Sequence, residues 1–165
     1  MKLNPPRKLE NTDVLTDFDC GNHSLNYWFK RRALQNNIAG GTQTSVITNE
    51  ENRITAFFSL VMGEVFIEKA HEHLRKDLDI YPIPIIKITR MAVDLDFQGL
   101  GIGKGMIKHV MKKAVEVSES IGCKAIVVDP IDDKARQFYE FMQFQSNSNE
   151  DDFMYITVSD IVENL

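Results

Sequence analysis

The sequence predicts an α/β fold, a mixed sheet flanked by helices. Short β-branched runs alternate with segments whose apolar residues recur at helical spacing. Glycine, proline and Asn/Asp clusters separate these segments. No repeat, low-complexity tract or Gly/Ser linker divides the chain, so residues 1–165 read as one domain.

The elements follow in order. Asn22 and Ser24 are good capping residues; Leu25, Trp28, Phe29 and Ala33 then recur at helical spacing until Gly40-Gly41 ends that helix. Gln43 to Thr48 reads as a strand, Asn49 to Asn52 as a polar turn and Ile54 to Gly63 as a second strand, together a hairpin. Residues 66–79 suit a short helix. Tyr81-Pro82-Ile83-Pro84 is extended, because each proline steers its predecessor away from the helical region. Ile85 to Val93 is apolar and β-rich, as a buried central strand would be. Met106, Ile107, Val110, Met111, Ala114, Val117 and Ile121 form one stripe of a long helix, which Gly122 is placed to end. Ala125 to Asp129 is a short strand stopped by Pro130. Asp132 or Asp133 caps a helix to about Met142, and Phe153 to Val158 is a last strand. The order is strand, helix, hairpin, strand, helix, strand, helix, strand, which makes a mixed sheet.

Composition bounds the function. With 19 Lys+Arg against 24 Asp+Glu the net charge is −5, which argues against nonspecific wrapping of duplex nucleic acid. The charge is uneven: residues 87–113 hold six basic side chains and two acidic ones, while the last 21 residues hold five acids and no Lys or Arg. No apolar run approaches the roughly 20 residues of a membrane span, and the N-terminus lacks the apolar core of a signal peptide. Two cysteines, Cys20 and Cys123, form no framework, so the expected setting is the cytoplasm.

The informative segment is Gln98-Gly99-Leu100-Gly101-Ile102-Gly103-Lys104-Gly105, between the buried strand and the long helix. Glycine at alternate positions leaves backbone N–H groups unshielded, and a helix start adds unpaired donors and the positive end of the macrodipole. Together they suit a phosphate or pyrophosphate. A plain glycine-rich turn is the bland alternative. The dinucleotide fingerprint G-x-G-x-x-G fails, because its third glycine falls on Lys104 or Met106. The Walker pattern fails because Gln98 and Gly105 occupy required positions. Gln98, Gly101 and Gly103 do fit Q-x-x-G-x-G.

Met91-Ala92-Val93-Asp94 followed by this Gln98–Gly103 run resembles the acyl-CoA motif of the GNAT N-acetyltransferases. Further blocks resemble the GNAT toxins of bacterial toxin–antitoxin modules: Phe18-Asp19-Cys20-Gly21-Asn22, Leu25-Asn26-Tyr27-Trp28, Tyr81 to Pro84, Thr89-Arg90, Val127-Val128-Asp129, and Ala135 with Phe138-Tyr139-Glu140. The resemblance implies a GNAT fold, mostly antiparallel, with a central strand pair that splays apart to admit the thioester of acetyl-CoA. It implies that backbone at Met91, Ala92 and Val93 bonds the pantetheine arm. The amides of Gln98, Gly99, Leu100, Gly101, Ile102, Gly103 and Lys104 would hold the pyrophosphate, and Tyr139 would protonate the departing thiolate. Asp132 stands where family members often carry an Asn that contacts pantetheine; an ionised aspartate accepts but cannot donate. The toxin branch implies acetylation of the α-amine of aminoacyl-tRNA, a ribbon-helix-helix antitoxin as partner and a homodimer. Rival readings are acetylation of a peptide N-terminus, lysine or small amine, and a CoA-binding module without turnover.

The chemistry bears on these readings. A phenol of pKa about 10 is a weaker acid than a thiol of about 8.5, so full proton transfer is uphill by about 2 kcal/mol unless Tyr139 acts as the tetrahedral adduct collapses. Ala135, Phe138, Tyr139 and Met142 also form the stripe of a core-facing helix, so packing alone would explain Tyr139. No residue declares itself as general base; Glu64 and Asp94 are weak candidates. That absence suits an α-amine of pKa about 7.7–8.0 better than a lysine near 10.4. Arg31, Arg32 and Arg90 are candidates for a basic rim toward CoA phosphates or RNA. His71-Glu72-His73 lacks the spacing of a helical metal pair, and no metal is expected.

Overall fold

The computed structural model describes residues 1–79, 81–147 and 152–164. Helix α1, His23–Arg31, starts where the Asn22 side chain accepts the Leu25 N–H at 3.0 Å. The single helix expected from 25 to 40 is two: Arg32 departs from helical geometry at φ −123°, and α2 spans Ala33–Ala39. Phe29, Ala33 and Asn37 are buried four residues apart, so the break does not interrupt the inward stripe. Gly40 ends α2 at φ 79°. The buried Asn37 amide accepts the Thr44 N–H at 2.7 Å and donates to the Thr44 carbonyl at 3.1 Å, standing in for a neighbouring strand.

Strand β1, Arg7–Lys8, pairs antiparallel with β2, Gln43–Thr48, which pairs antiparallel with β3, Ile54–Val65. The long strand β4, Ile83–Val93, begins two residues earlier than expected despite Pro84. Proline lacks only the donor, and the Pro84 carbonyl still accepts the Lys124 N–H at 2.8 Å. Strand β5, Ala125–Val128, runs parallel to β4 from Ile85↔Ala125 to Ile88↔Val128. Strand β6, Gln145–Ser146, and β7, Met154–Thr157, complete the sheet, β7 lying antiparallel to both β5 and β6. The strand order is β1-β2-β3-β4-β5-β7-β6, a mixed sheet as expected.

Residues 66–79 form two short pieces rather than one helix, a 3-10 turn at Ile67–Lys69 and α3, Glu72–Arg75. Helix α4 spans Ile102–Ser118, and α5 spans Asp133–Phe141. A last helix, α6, Val158–Asn164, was not anticipated; its start is capped by the Thr157 hydroxyl, which accepts the Asp160 N–H at 3.0 Å.

The Cα positions group into two compact units, residues 1–61 with 89–106, and residues 62–88 with 107–165. The first has a core of Phe18, Phe29, Phe57, Val46 and Ala92, in which the Phe29 and Phe57 rings stack at 4.1 Å. The second has a core of Leu74, Ile83, Ile85, Ala125, Val127 and Tyr155. Among the described residues no helix is long and apolar enough to cross a membrane.

Candidate functional site

The glycine segment opens where β4 ends. Asp94 is buried at 2% exposure, and its carboxylate gathers three donors: the Asp19 N–H at 3.0 Å, the Asp96 N–H at 2.9 Å and the Arg53 guanidinium at 3.3 Å. Arg53 also reaches Asp96 at 2.7 Å and lies 4.9 Å over the Phe97 ring. The Leu95 N–H donates to the Asp19 carbonyl at 2.8 Å. Asp94 thus ties the Phe18–Asn22 block to the start of the loop, an anchoring role that occupies the carboxylate and leaves the general-base idea without support. Two blocks far apart in the sequence meet here, and periodicity carries no signal of that contact.

Gln98 closes the turn with its side chain. Its amide donates to the Val93 carbonyl at 2.9 Å and to the Cys20 carbonyl at 3.3 Å. Gly99 and Gly101 follow at φ +80° and +84°, a conformation that side chains rarely adopt. No atom lies within 4 Å of where a Cβ would stand on either, nor on Gly105, so the backbone faces open space. The Gly105 N–H bonds the Gly101 carbonyl at 3.1 Å, and the amides of Ile102 and Gly103 precede that bond at the start of α4. Leu100 is exposed, Ile102 is buried and anchors the helix start, and Lys104 is exposed. Bare amides around open space at the positive end of a helix of 17 residues fit a pyrophosphate.

Along β4 the parallel ladder stops at Ile88↔Val128, because β5 ends there. Thr89 to Val93 continue beyond it as strand. Met91 and Val93 are half-buried, and Ala92 lies in the core of the first unit. An extended backbone that outruns its parallel neighbour can offer N–H and C=O groups to an extended ligand.

Tyr139 lies on α5 in the second unit. Asp132 caps that helix, its carboxylate accepting the Ala135 N–H at 2.7 Å. One oxygen of Asp132 is therefore engaged in capping; the aspartate departs from the family's usual residue yet does what either residue does at a cap. Tyr139 is 6% exposed, with Phe138 and Phe144 each 5.3 Å from its ring. Among the described residues its hydroxyl has no hydrogen-bond partner. Burial pushes its pKa well above the ordinary phenol value, so the group stays protonated at neutral pH.

The basic candidates separate. Arg90 stacks on Trp28, its guanidinium carbon 4.0 Å from the ring centroid. Arg31 lines an open cleft of about 410 Å³ with His23, Tyr27 and Lys30. Arg32 bonds the Gln35 side chain at 3.2 Å. The two neighbouring histidines have separate partners: His71 Nδ1 lies 3.0 Å from the Tyr155 hydroxyl, and His73 Nε2 lies 2.7 Å from the Asp160 carboxylate. Among the described residues no group of three or more His, Cys, Asp or Glu is gathered for a metal. Burial raises the Cys20 thiol pKa, the opposite of what a nucleophile needs.

Comparison with known proteins gives a consistent picture. Residues 42–146 match the model of the acetyltransferase (GNAT) domain. The chain is 34% identical over 140 residues to a tRNA-acetylating toxin of Mycobacterium tuberculosis, covering 85% of this chain and 83% of that one. Its fold superposes on AtaT complexed with acetyl-methionyl-tRNAfMet at a TM-score of 0.91, with 19% identity and 99% of each chain covered. It also superposes on a tyrosine-to-phenylalanine mutant of the AtaT toxin bound to the C-terminus of the antitoxin AtaR and acetyl-CoA. That match has a TM-score of 0.83, 18% identity, and 100% of this chain and 99% of that one covered.

Proposed function

Since the chain belongs to the GNAT acetyltransferase family, we propose that it transfers the acetyl group of acetyl-CoA directly to the α-amine of an aminoacyl-tRNA. The observation that carries the substrate is the 34% identity over 85% of the chain to a tRNA-acetylating toxin. The site chemistry agrees with it. Asp94, the one buried carboxylate of the loop region, is committed to anchoring, and an α-amine is partly unprotonated near neutral pH without a base.

In this reading the amides from Gln98 to Lys104 hold the pyrophosphate of acetyl-CoA. The backbone of Met91, Ala92 and Val93 orients the pantetheine arm, and Asp132 is a further candidate to contact it. A backbone N–H of that strand end polarises the thioester carbonyl. Acetyl-CoA supplies an acyl group on a good leaving thiolate. The amine nitrogen bonds the carbonyl carbon, the carbon–sulfur bond breaks, and the Tyr139 hydroxyl donates its proton to the departing sulfur. The proton lost by the amine nitrogen returns through solvent to restore the Tyr139 hydroxyl, so that CoA leaves as the thiol and the amine becomes an amide. Its raised pKa widens the gap to the thiol, so Tyr139 acts as the tetrahedral adduct collapses and not by prior ionisation. The protein then works in the cytoplasm as a homodimer, restrained by a small ribbon-helix-helix antitoxin like the toxin neighbours bound to AtaR.

Thiol release from acetyl-CoA tests this. Charged tRNA is expected to release CoA with formation of N-acetyl-aminoacyl-tRNA, while uncharged tRNA, a lysine side-chain analogue and a peptide N-terminus release little. Faster release with the peptide or lysine acceptor overturns the tRNA assignment. Tight CoA binding without release from any amine overturns the enzyme reading.

A further inference from the structure

We propose that Arg90, held over the Trp28 ring, binds a phosphodiester at the acceptor end of the RNA substrate. The proposal rests on the aminoacyl-tRNA reading above and adds to it a specific anion site.

The first observation is that Arg90 is poised but uncompensated. Among the described residues its side chain makes no hydrogen bond or ion pair, and its one contact of note is the indole 4.0 Å below. The other arginines with fixed partners behave differently. Arg7 pairs with Asp13 at 2.6 Å, Arg53 with Asp96 at 2.7 Å, and Arg136 with Asp152 at 3.1 Å. Although the chain has 24 acidic residues, none among the described residues pairs with this half-buried cation. Burial also disfavours its charged form, with no acid offsetting the effect.

The second observation is that the platform is rigid. Trp28 packs against the Phe18–Phe29–Phe57 cluster, its ring 6.5 Å from Phe57 and nearly parallel to it at 26°. The cation–π contact holds the guanidinium over that surface, and its N–H groups suit a bidentate oxyanion acceptor. Phosphate matches that fork, and the geometry explains why the position carries arginine and not lysine.

The third observation is place. Arg90 lies two residues before Ala92 on β4, on the same strand face, about 7 Å along the strand. It precedes the glycine loop, which supplies its own amides for the phosphates of CoA. In an aminoacyl-tRNA the amino acid carboxyl is esterified and neutral. The anions nearest the reacting amine are therefore the phosphodiesters of the terminal nucleotides.

Two acceptors with the same reacting amine separate the possibilities: aminoacyl-tRNA, and the same amino acid esterified to adenosine, which carries no phosphate. Arg90→Gln is expected to raise KM for aminoacyl-tRNA on the order of 10- to 100-fold, with Arg90→Lys between it and wild type. kcat/KM for the aminoacyl-adenosine and KM for acetyl-CoA stay within about twofold of wild type in the same variants. An equal loss on both acceptors, a raised KM for acetyl-CoA, or no change on tRNA overturns the proposal. A binding readout needs no turnover. Trp28 is the only tryptophan, so its emission reports directly on this site. Titration with a 5′-phosphorylated CCA trinucleotide is expected to change it saturably in wild type, only at higher concentrations in Arg90→Lys, and not in Arg90→Gln at the wild-type concentrations. An unresponsive wild type overturns the Arg90 site. Wild type that responds but does not acetylate charged tRNA overturns the substrate reading and leaves the anion site standing.

Discussion

Replacing Asp94 by asparagine removes one charge and almost no volume, and the hydrogen bonds around it set the cost. Oδ1 receives the Asp96 N–H at 2.9 Å and Arg53 at 3.3 Å, while Oδ2 receives the Asp19 N–H at 3.0 Å. An asparagine keeps its single oxygen on the side with two donors and turns its NH2 toward the Asp19 N–H. That amide loses its acceptor in a buried setting, worth about 1–3 kcal/mol. Arg53 loses one charge partner but keeps the exposed Asp96 at 2.7 Å, so its loss is small, since exposed pairs contribute about 0–1 kcal/mol. Asp94→Asn is therefore expected to cost about 2–3 kcal/mol, and Asp94→Ala about 4 kcal/mol, because both backbone donors are then orphaned and the buried end of the Arg53 pair is broken. For a chain of this size about 2.5 kcal/mol lowers Tm by about 5–10 °C. Urea and thermal melts read the cost, with an m-value near that of wild type. Calorimetric titration with acetyl-CoA is expected to show weakened binding, since the anchored loop is the one proposed to hold the phosphates of CoA. A change below about 0.5 kcal/mol would refute the view of Asp94 as the anchor between the two sequence blocks.

Tyr139→Phe is expected to lower kcat by about 100- to 1,000-fold while leaving acetyl-CoA affinity and Tm unchanged, because the hydroxyl has no partner within the described residues to lose. Steady-state rates beside a calorimetric Kd check this, and full turnover removes the proton-donor role. Gly101→Ala meets no neighbouring atom, so its stability cost is the strain of φ +84°, about 1–2 kcal/mol. Its methyl group enters the space before the amides, and a Kd for acetyl-CoA raised at least tenfold is expected; unchanged affinity would remove the loop from the binding site. Arg7 holds the Asp13 carboxyl below the usual carboxylate range, chiefly through their hydrogen bond at 2.6 Å, while partial burial opposes the shift. The native state thus binds the Asp13 proton less readily than the unfolded chain. The stability so contributed, roughly 1.5 kcal/mol, is present above about pH 4 and is lost as pH falls through the depressed value. Urea midpoints from pH 5 to pH 2 are expected to fall less steeply in Asp13→Asn than in wild type; parallel profiles would contradict this.

Much of the fold was legible in the sequence because its signals are local. The hairpin of β2 and β3, the apolar β4, the stripe of α4 from Met106 to Val117 and the cap at Asp132 each follow from alternation, 3.6-residue spacing or a capping residue. The expected end at Gly122 does not hold, since α4 stops at Ser118 and Ile121 lies exposed beyond it. The glycine segment was legible too, since two of its glycines stand at φ values that demand them. Local rules misjudged the first helix, where Arg32 breaks a continuous stripe, and overlooked α6, whose signal was a single capping threonine. Residues 66–79 lack a sustained period, which is why one expected helix became two short turns.

The sequence by itself determined the α/β class, the family and the glycine-rich loop at the start of α4, because the spacing of a few glycines and apolar residues is sufficient for each. Only the tertiary structure decided what the polar side chains do. Asp94 turned from a candidate base into an anchor when the Asp19 amide, 75 positions away, was found on its oxygen. Arg90, one basic residue among 19, became distinct when Trp28 was found beneath it and no acid pairing with it among the described residues. A charge acquires a role from the groups within a few ångströms, and long-range packing, which leaves no periodic trace in the sequence, brings those groups there.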